Sequence, residues 1–188
     1  MSENWVFFKQ WLKNPTQLGT FLPISKRFAR NAIAEFIKQY HFKNLSKLKV
    51  LELGAGTGRI TQVLLDAGFK NITAIELDDK MAALMKKRFG EKVTVIHGDA
   101  RFIDERFPPE SFDLVVSSLP FMYISLPIRQ AIVDSAFAVL KKNGPFLHLC
   151  YTPSSTWFKL EHIDVEKVLT QWAHLPTGFV YELKQKVV

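Results

Sequence analysis

Residues 49–68 run from a short apolar stretch, Lys49-Val50-Leu51-Glu52-Leu53, through the turn Gly54-Ala55-Gly56-Thr57-Gly58 into a helical pattern that stops at Gly68. Glycine lets a backbone adopt positive φ and approach a ligand closely, and a helix starting at the turn offers unpaired N–H groups and partial positive charge. A strand, a glycine turn and a helix in that order predict the opening of an α/β unit with a site for an anionic group at the turn. A dinucleotide fingerprint requires a third glycine where this chain has Arg59, so G-x-G-x-x-G fails and NAD is disfavoured.

The rest of the chain repeats the alternation. Residues 49–53, 71–76, 93–97, 112–117 and 145–151 read as five strands, each short, rich in branched or aromatic residues and bounded by Gly, Pro or polar punctuation. Helices fall between them: 58–67 stopped by Gly68, 79–89 stopped by Gly90, and 127–140 ending in Lys141 and Lys142 before Asn143-Gly144. Residues 165–173 and 178–184 both read as extended, with a turn at 174–178, and predict an antiparallel hairpin. The fold class is α/β, a mostly parallel sheet with helices on both faces, finished by the hairpin.

Ahead of this core, residues 2–13 predict an amphipathic helix: at about 100° per residue Trp5, Phe7, Phe8, Trp11 and Leu12 share one face and Lys9, Gln10 and Lys13 the other. Asn14-Pro15 stops it. A second helix is expected from Ser25, its cap, to about residue 42, with Phe28, Ile33, Phe36 and Ile37 facing inward. The 188 residues thus divide into lid or membrane-facing helices over 1–44 and a core over 45–188, within a single domain large enough to bury its apolar surface without staples.

With Cys150 as its one cysteine, the chain has no disulfide framework, and an inert buried thiol in a reducing compartment is expected. No signal-peptide pattern and no uncharged apolar window of about 18 residues is present, so the chain reads as a cytoplasmic protein, soluble or peripheral to a membrane. A net charge of +7 favours anionic partners, a phospholipid surface or RNA, without choosing between them. The histidines at 41, 97, 148, 162 and 174 have no metal-ligand spacing, and no metal is expected.

The form Glu52-Leu53-Gly54-Ala55-Gly56-Thr57-Gly58 resembles the first motif of class I methyltransferases, whose loop embraces the methionine end of S-adenosylmethionine (SAM). The resemblance continues with Glu76, about 20 residues past the loop, at the spacing where Rossmann-like sites place an acceptor for ribose hydroxyls, followed by Leu77. Gly98-Asp99-Ala100 stands where the family puts an acidic side chain near the adenine amino group. The resemblance implies SAM as cofactor and a seven-stranded, Rossmann-like class I sheet.

Ser117-Ser118-Leu119-Pro120-Phe121 ends the fourth strand, where amine methyltransferases of this fold carry D/N-P-P-Y/F or N-L-P-Y. Nitrogen is the implied target. Ser117 would lie beside the cofactor, Ser118 and the Leu119 carbonyl would hold the amine, and Phe121 would pack beside it; the alternative is a strand-ending Pro turn with Phe121 in the core. The rRNA adenine dimethyltransferases share much of the pattern, but Ser118 replaces their Asn and forms fewer hydrogen bonds to an adenine edge. The chain also ends after its hairpin, where those enzymes carry a further RNA-binding domain, so RNA is the weaker expectation.

Along its whole length the chain is similar to the small bacterial phosphatidylethanolamine N-methyltransferases. The likeness rests on Phe8-x-x-Trp11-Leu12 with Pro15 and Gly19-x-x-x-Pro23-x-Ser25, the glycine loop, Ser118-Leu119-Pro120, and Tyr151 followed later by His174-Leu175-Pro176. It departs at Ser117, commonly Gly, and at Thr177-Gly178, commonly Pro-Ala. It implies methyl transfer to the amine of phosphatidylethanolamine at an anionic membrane surface, with Tyr151 touching amine or phosphate. Phe121, Tyr123, Tyr151 and Trp157 are candidate aromatic walls for a methylated cation, or core aromatics. Trp5, Phe8, Lys9, Trp11, Leu12 and Lys13 would meet the membrane, aided by Lys26, Arg27 and Arg30, or else the aromatic face closes over SAM. An RNA N-methyltransferase, a small-molecule amine methyltransferase and a non-catalytic SAM-binding protein remain the alternatives.

Overall fold

The computed structural model describes residues 24–153, 159–171 and 177–186. Helix α1 (Lys26–Gln39) precedes β1 (Lys49–Leu53), α2 (Arg59–Ala67), β2 (Asn71–Glu76), α3 (Asp79–Phe89), β3 (Thr94–His97), β4 (Leu114–Ser117), α4 (Leu126–Val139), β5 (Phe146–Cys150), β6 (Ile163–Gln171) and β7 (Gly178–Gln185). Short 3₁₀ turns at Ala100–Phe102 and Phe121–Tyr123 follow β3 and β4. The seven strands form one sheet in the order β3-β2-β1-β4-β5-β7-β6, as the implied class I sheet requires. β1 to β5 pair in parallel, whereas β7 runs antiparallel to both β5 and β6.

The elements follow from local chemistry. Ser25 Oγ accepts from Phe28 N at 3.1 Å to cap α1, and Asp78 accepts from Met81 N to cap α3, which ends on Lys86, Lys87 and Arg88 at the negative pole of its dipole. Helix α2 lies between Gly58 and Gly68, both with positive φ, and buries Ile60, Val63 and Leu64, each contributing about 1.5–3 kcal/mol. Among the described residues the expected strands and helices are present, most with bounds shifted by no more than two residues, and the helix expected over 2–13 lies outside them. Helix α1 ends at Gln39 rather than near 42, because His41 turns to φ 50° and Phe42 folds back onto Phe36.

One face of the sheet (Val50, Ala74, Leu114, Val116, Leu147, Val180) packs against α1, α2 and α3. The other (Leu51, Leu53, Ile75, Val115, Phe146, Leu183) packs against α4. With both faces covered, the strands read as nearly continuous apolar runs.

Candidate functional site

β1 sits between β2 and β4, so the chain departs in opposite directions from the carboxyl ends of β1 and β4. Open α/β sheets bind ligands in the crevice at this reversal. The glycine turn is anchored there: Gly54 N and Ala55 N donate to Ile75 O at 3.0 and 3.2 Å, and Gly58 N to Ala55 O at 2.8 Å. Gly54, Gly56 and Gly58 have φ of 73°, 54° and 73°. A Cβ on Gly54 would stand 2.5 Å from Leu119 Cδ2, and one on Gly58 2.5 Å from Met85 Sδ, whereas at Gly56 no atom lies within 4 Å. Two glycines therefore serve close packing, and Gly56 faces open space.

Glu76, buried at the end of β2, ties the loop to the next helix: Oε2 accepts from Gly56 N at 2.7 Å and Oε1 from Asp78 N at 2.9 Å. Burial raises its pKa against those bonds. Leu77 packs against the core, and its carbonyl lies 3.0 Å from His97 Nε2. Asp99 caps the Ala100–Phe102 turn, accepting from Arg101 N at 3.0 Å and from the Arg101 guanidinium at 2.7 Å, with Ala100 buried behind it.

Glu52 points the other way. On the α2 face of β1, it accepts from Thr61 Oγ1 at 2.6 Å, and its Oε1 has no hydrogen-bond partner among the described residues. Burial pushes its pKa up to about 8. Glu52 thus holds its proton in the interior, two residues ahead of the turn.

Ser117 is fully buried. Its Oγ accepts from Leu119 N at 3.3 Å and lies 3.3 Å from His148 Nδ1. Ser118 N donates to Leu53 O at 3.3 Å, and Ser118 Oγ to Gly54 O at 3.4 Å, so this turn is bound directly to the glycine loop. The Leu119 carbonyl accepts from Phe121 N at 2.8 Å. Behind the turn, the Phe121 ring stacks on the His148 imidazole, with centroids 4.4 Å apart and planes 6° apart.

A small cleft joins residues 118–123 to residues 149–152 at the end of β5 and to Ile24 ahead of α1. It brings together Ser118, Leu119, Phe121, Tyr123 and Tyr151, five of the residues singled out in the sequence. Tyr151 also receives the N-terminal segment: its hydroxyl accepts from Ser25 N at 2.8 Å, and its ring packs 5.7 Å from Phe28. Cys150 lies half-buried on the wall, its thiol pushed up to about 11 by burial.

Sequence reasoning missed Ile24, Met122 and His148. Ile24 and Met122 carry no local signal, and His148 lies in a run whose residues are almost all buried on both faces. Trp5, Phe8, Lys9, Trp11, Leu12, Lys13, Trp157 and His174-Leu175-Pro176 lie outside the described residues. Among the described residues no helix is long and apolar enough to cross a membrane, and no group of acidic, His or Cys side chains is arranged to hold a metal ion.

Residues 50–144 match the family model described as a methyltransferase domain. The chain belongs to the class I SAM-dependent methyltransferases. It is 42% identical over 89 residues to the mitochondrial ribosomal RNA small subunit methyltransferase of Arabidopsis thaliana, covering 45% of this chain and 22% of that protein. It is 36% identical over 96 residues to an uncharacterised methyltransferase of Bacillus licheniformis, 51% of this chain and 44% of the other. The chain thus spans less than half the length of either relative.

A longer alignment, 26% identical over 160 residues, covers 81% of this chain and 80% of the ornithine lipid N-methyltransferase of Singulisphaera acidiphila. Among solved structures, the SAM-bound magnesium protoporphyrin IX methyltransferase of Synechocystis superposes with a TM-score of 0.68 at 10% identity, over 100% of this chain and 98% of that one. The glycopeptide N-methyltransferase MtfA with SAM gives 0.61 at 17% identity, over 84% of this chain and 94% of that one. At such identities these two establish the fold.

Proposed function

We propose that the protein transfers methyl groups from SAM to the amine of a membrane phospholipid, phosphatidylethanolamine foremost, while adsorbed to the anionic inner face of the membrane. The observation that carries this reading is the cleft in which Ser118, Tyr123 and Tyr151 meet, continuous with the glycine loop through the Ser118–Gly54 contact. An alignment over 81% of the chain with a protein named as a lipid N-methyltransferase supports the choice of a lipid amine.

Residues 54–58 would hold the methionine end of SAM, Glu76 its ribose hydroxyls, and Leu77, Asp99 and Ala100 its adenine. The open space at Gly56 fits a ligand lying against the turn. Bound there, the sulfonium supplies a methyl group activated for transfer to a nucleophile. Ser117 backs this arrangement from the core.

The chain's own residues have the task of presenting a neutral amine. Ser118 Oγ accepts one amine N–H, and the Leu119 carbonyl, with a lone pair beyond its bond to Phe121 N, accepts another. A primary amine has an ordinary pKa of about 10, and the largely apolar cleft lowers it by disfavouring the charged form. The Tyr151 hydroxyl, which accepts from Ser25 N, keeps its proton to donate to a headgroup phosphate. Phe121, Tyr123 and Tyr151 supply aromatic surface for the methylated cation. Orientation dominates such a reaction, since holding two reactants in line removes most of the entropic barrier.

Ser118→Ala and Tyr151→Phe are each expected to lower kcat on phosphatidylethanolamine vesicles about tenfold, about 1.4 kcal/mol of barrier, with SAM affinity measured by calorimetry unchanged. Parent-like turnover in both variants would remove the cleft from the mechanism. A second reading, N-methylation of an RNA adenine, is favoured by the net charge of +7 and by the 42% identical stretch shared with a ribosomal RNA methyltransferase.

A further inference from the structure

His148 is fully buried in the middle of the sheet, and the chemistry above leaves it without a task. Burying an imidazole is costly unless its polar atoms are used, and a leucine would fill the same space more cheaply. The register sets His148 opposite Ser117 on β4 and opposite Tyr181 on β7. From there it reaches the acceptor turn in two ways. Its Nδ1 edge lies 3.3 Å from Ser117 Oγ, and that oxygen accepts from Leu119 N at 3.3 Å. Its face carries the Phe121 ring in parallel stacking at 4.4 Å.

The first route fixes the start of the turn and the second its end. A hydroxyl is donor and acceptor at once, so Ser117 relays the imidazole's position to the Leu119 amide while keeping its own proton for Nδ1. Leu119 in turn is the residue whose side chain occupies the space a Cβ on Gly54 would need. The relay therefore links the sheet interior to the contact between acceptor turn and glycine loop.

We infer that His148 is a positioning residue for methyl transfer: its edge, through Ser117, and its face, through Phe121, hold the 118–121 turn in register with the glycine loop. This rests on the reading that the turn presents the acceptor amine. Burial keeps the imidazole neutral, with its pKa lowered to about 3, so the relay persists across the physiological range. A misplacement of about 1 Å at the reacting centre suffices to cost a large factor in rate.

The test compares His148→Phe, which retains a ring against Phe121 but deletes Nδ1, with His148→Asn, which retains a polar group toward Ser117. Ser117→Ala/His148→Phe removes both polar side chains and takes from the Leu119 N–H its acceptor, so it gives the exchange rate of the released turn. Hydrogen exchange at the Leu119 amide, SAM affinity, and kcat and KM on phosphatidylethanolamine vesicles are measured for each. With the double variant as the limit of Leu119 exchange, His148→Phe is expected to bind SAM as the parent does. Its Leu119 amide should exchange about tenfold faster and its kcat fall about tenfold with KM little changed, a barrier rise in kcat alone. His148→Asn should restore Leu119 protection relative to His148→Phe.

Unchanged exchange at Leu119, or faster exchange with parent-like kcat, would overturn the inference. The exchange readout needs no acceptor. A parent protein that methylates RNA and not lipid would defeat the lipid reading, and the variants would then be scored by the same pair of outcomes on RNA.

Discussion

A methyl group has no room at Gly54. Alanine there would place Cβ 2.5 Å from Leu119 Cδ2 at a φ of 73°, a left-handed conformation costing an L-residue about 1–2 kcal/mol before any clash. Gly54→Ala is expected to weaken SAM binding at least about tenfold by calorimetry; undiminished affinity would mean that the turn is only structural. Glu76→Ala removes the acceptor for Gly56 N and Asp78 N. Each such charge-assisted bond contributes about 1.5–3 kcal/mol, so SAM affinity should fall about 100-fold in the same titration, and a variant within threefold of the parent would contradict Glu76's place in the site.

Buried titrating groups also shape the pH dependence of stability. Glu52 binds its proton more tightly folded than unfolded, so its contribution is full below its ordinary value of 4.5 and is lost as pH rises towards about 8. His148 has the opposite sign: its neutral form is favoured by the fold, so stability is lost as pH falls from 6.5 towards about 3. Thermal denaturation should therefore show a plateau between 4.5 and 6.5 and a decline from 6.5 to 8, the latter flattened in Glu52→Gln. A decline that survives intact in that variant would assign it to other groups.

The loop glycines, Glu76 and Ser118 could be placed at strand ends from the sequence, because each closes or follows a short apolar run. The direction of Glu52 was not read from the sequence; it shares a face with Val50 and lies opposite Leu51 and Leu53. His148 was not legible, because its meaning depends on lying beside Ser117, a pairing set by sheet order across 31 residues.

At the scale of elements, α1 is fastened at both ends to the carboxyl-terminal part of the sheet. Its start is held by Ser25 N to Tyr151, its body by Phe28 filling the space over Gly178, and its end by Tyr40, whose hydroxyl donates to buried Glu182. Tyr40→Phe leaves that carboxylate with Lys184 at 3.4 Å as its ionic partner. The loss of stability should be about 1–3 kcal/mol in denaturant unfolding, with SAM affinity unaffected; a variant as stable as the parent would show that the clamp contributes nothing. Helix bounds were readable from Ser25, Gly68 and Gly90, each a cap with a physical reason, whereas the Asp78 cap emerged from the structure. The placement of β7 between β5 and β6 was not, because a hairpin pattern specifies that two strands pair but not which of them meets the rest of the sheet.

Over the whole molecule, the reversal between β1 and β4 brings the glycine loop and the 118–121 turn to one crevice, and β5 adds Tyr151 together with the segment leading into α1. The donor half is the part shared with the methyltransferase domain family at residues 50–144. The cleft combines residues 118–123 of that part with Ile24 and residues 149–152 beyond it. A net charge of +7 suits an acceptor embedded in an anionic surface.

The central claim is methyl transfer to a lipid amine, and it is tested most directly by weighing the product. The protein is incubated with SAM, vesicles of phosphatidylethanolamine and anionic lipid, and unmodified ribosomal RNA in one vessel, and each fraction is analysed by mass spectrometry. The account predicts phosphatidylethanolamine heavier by one or more methyl groups, with the RNA unchanged. Methylated RNA beside unmodified lipid would contradict it.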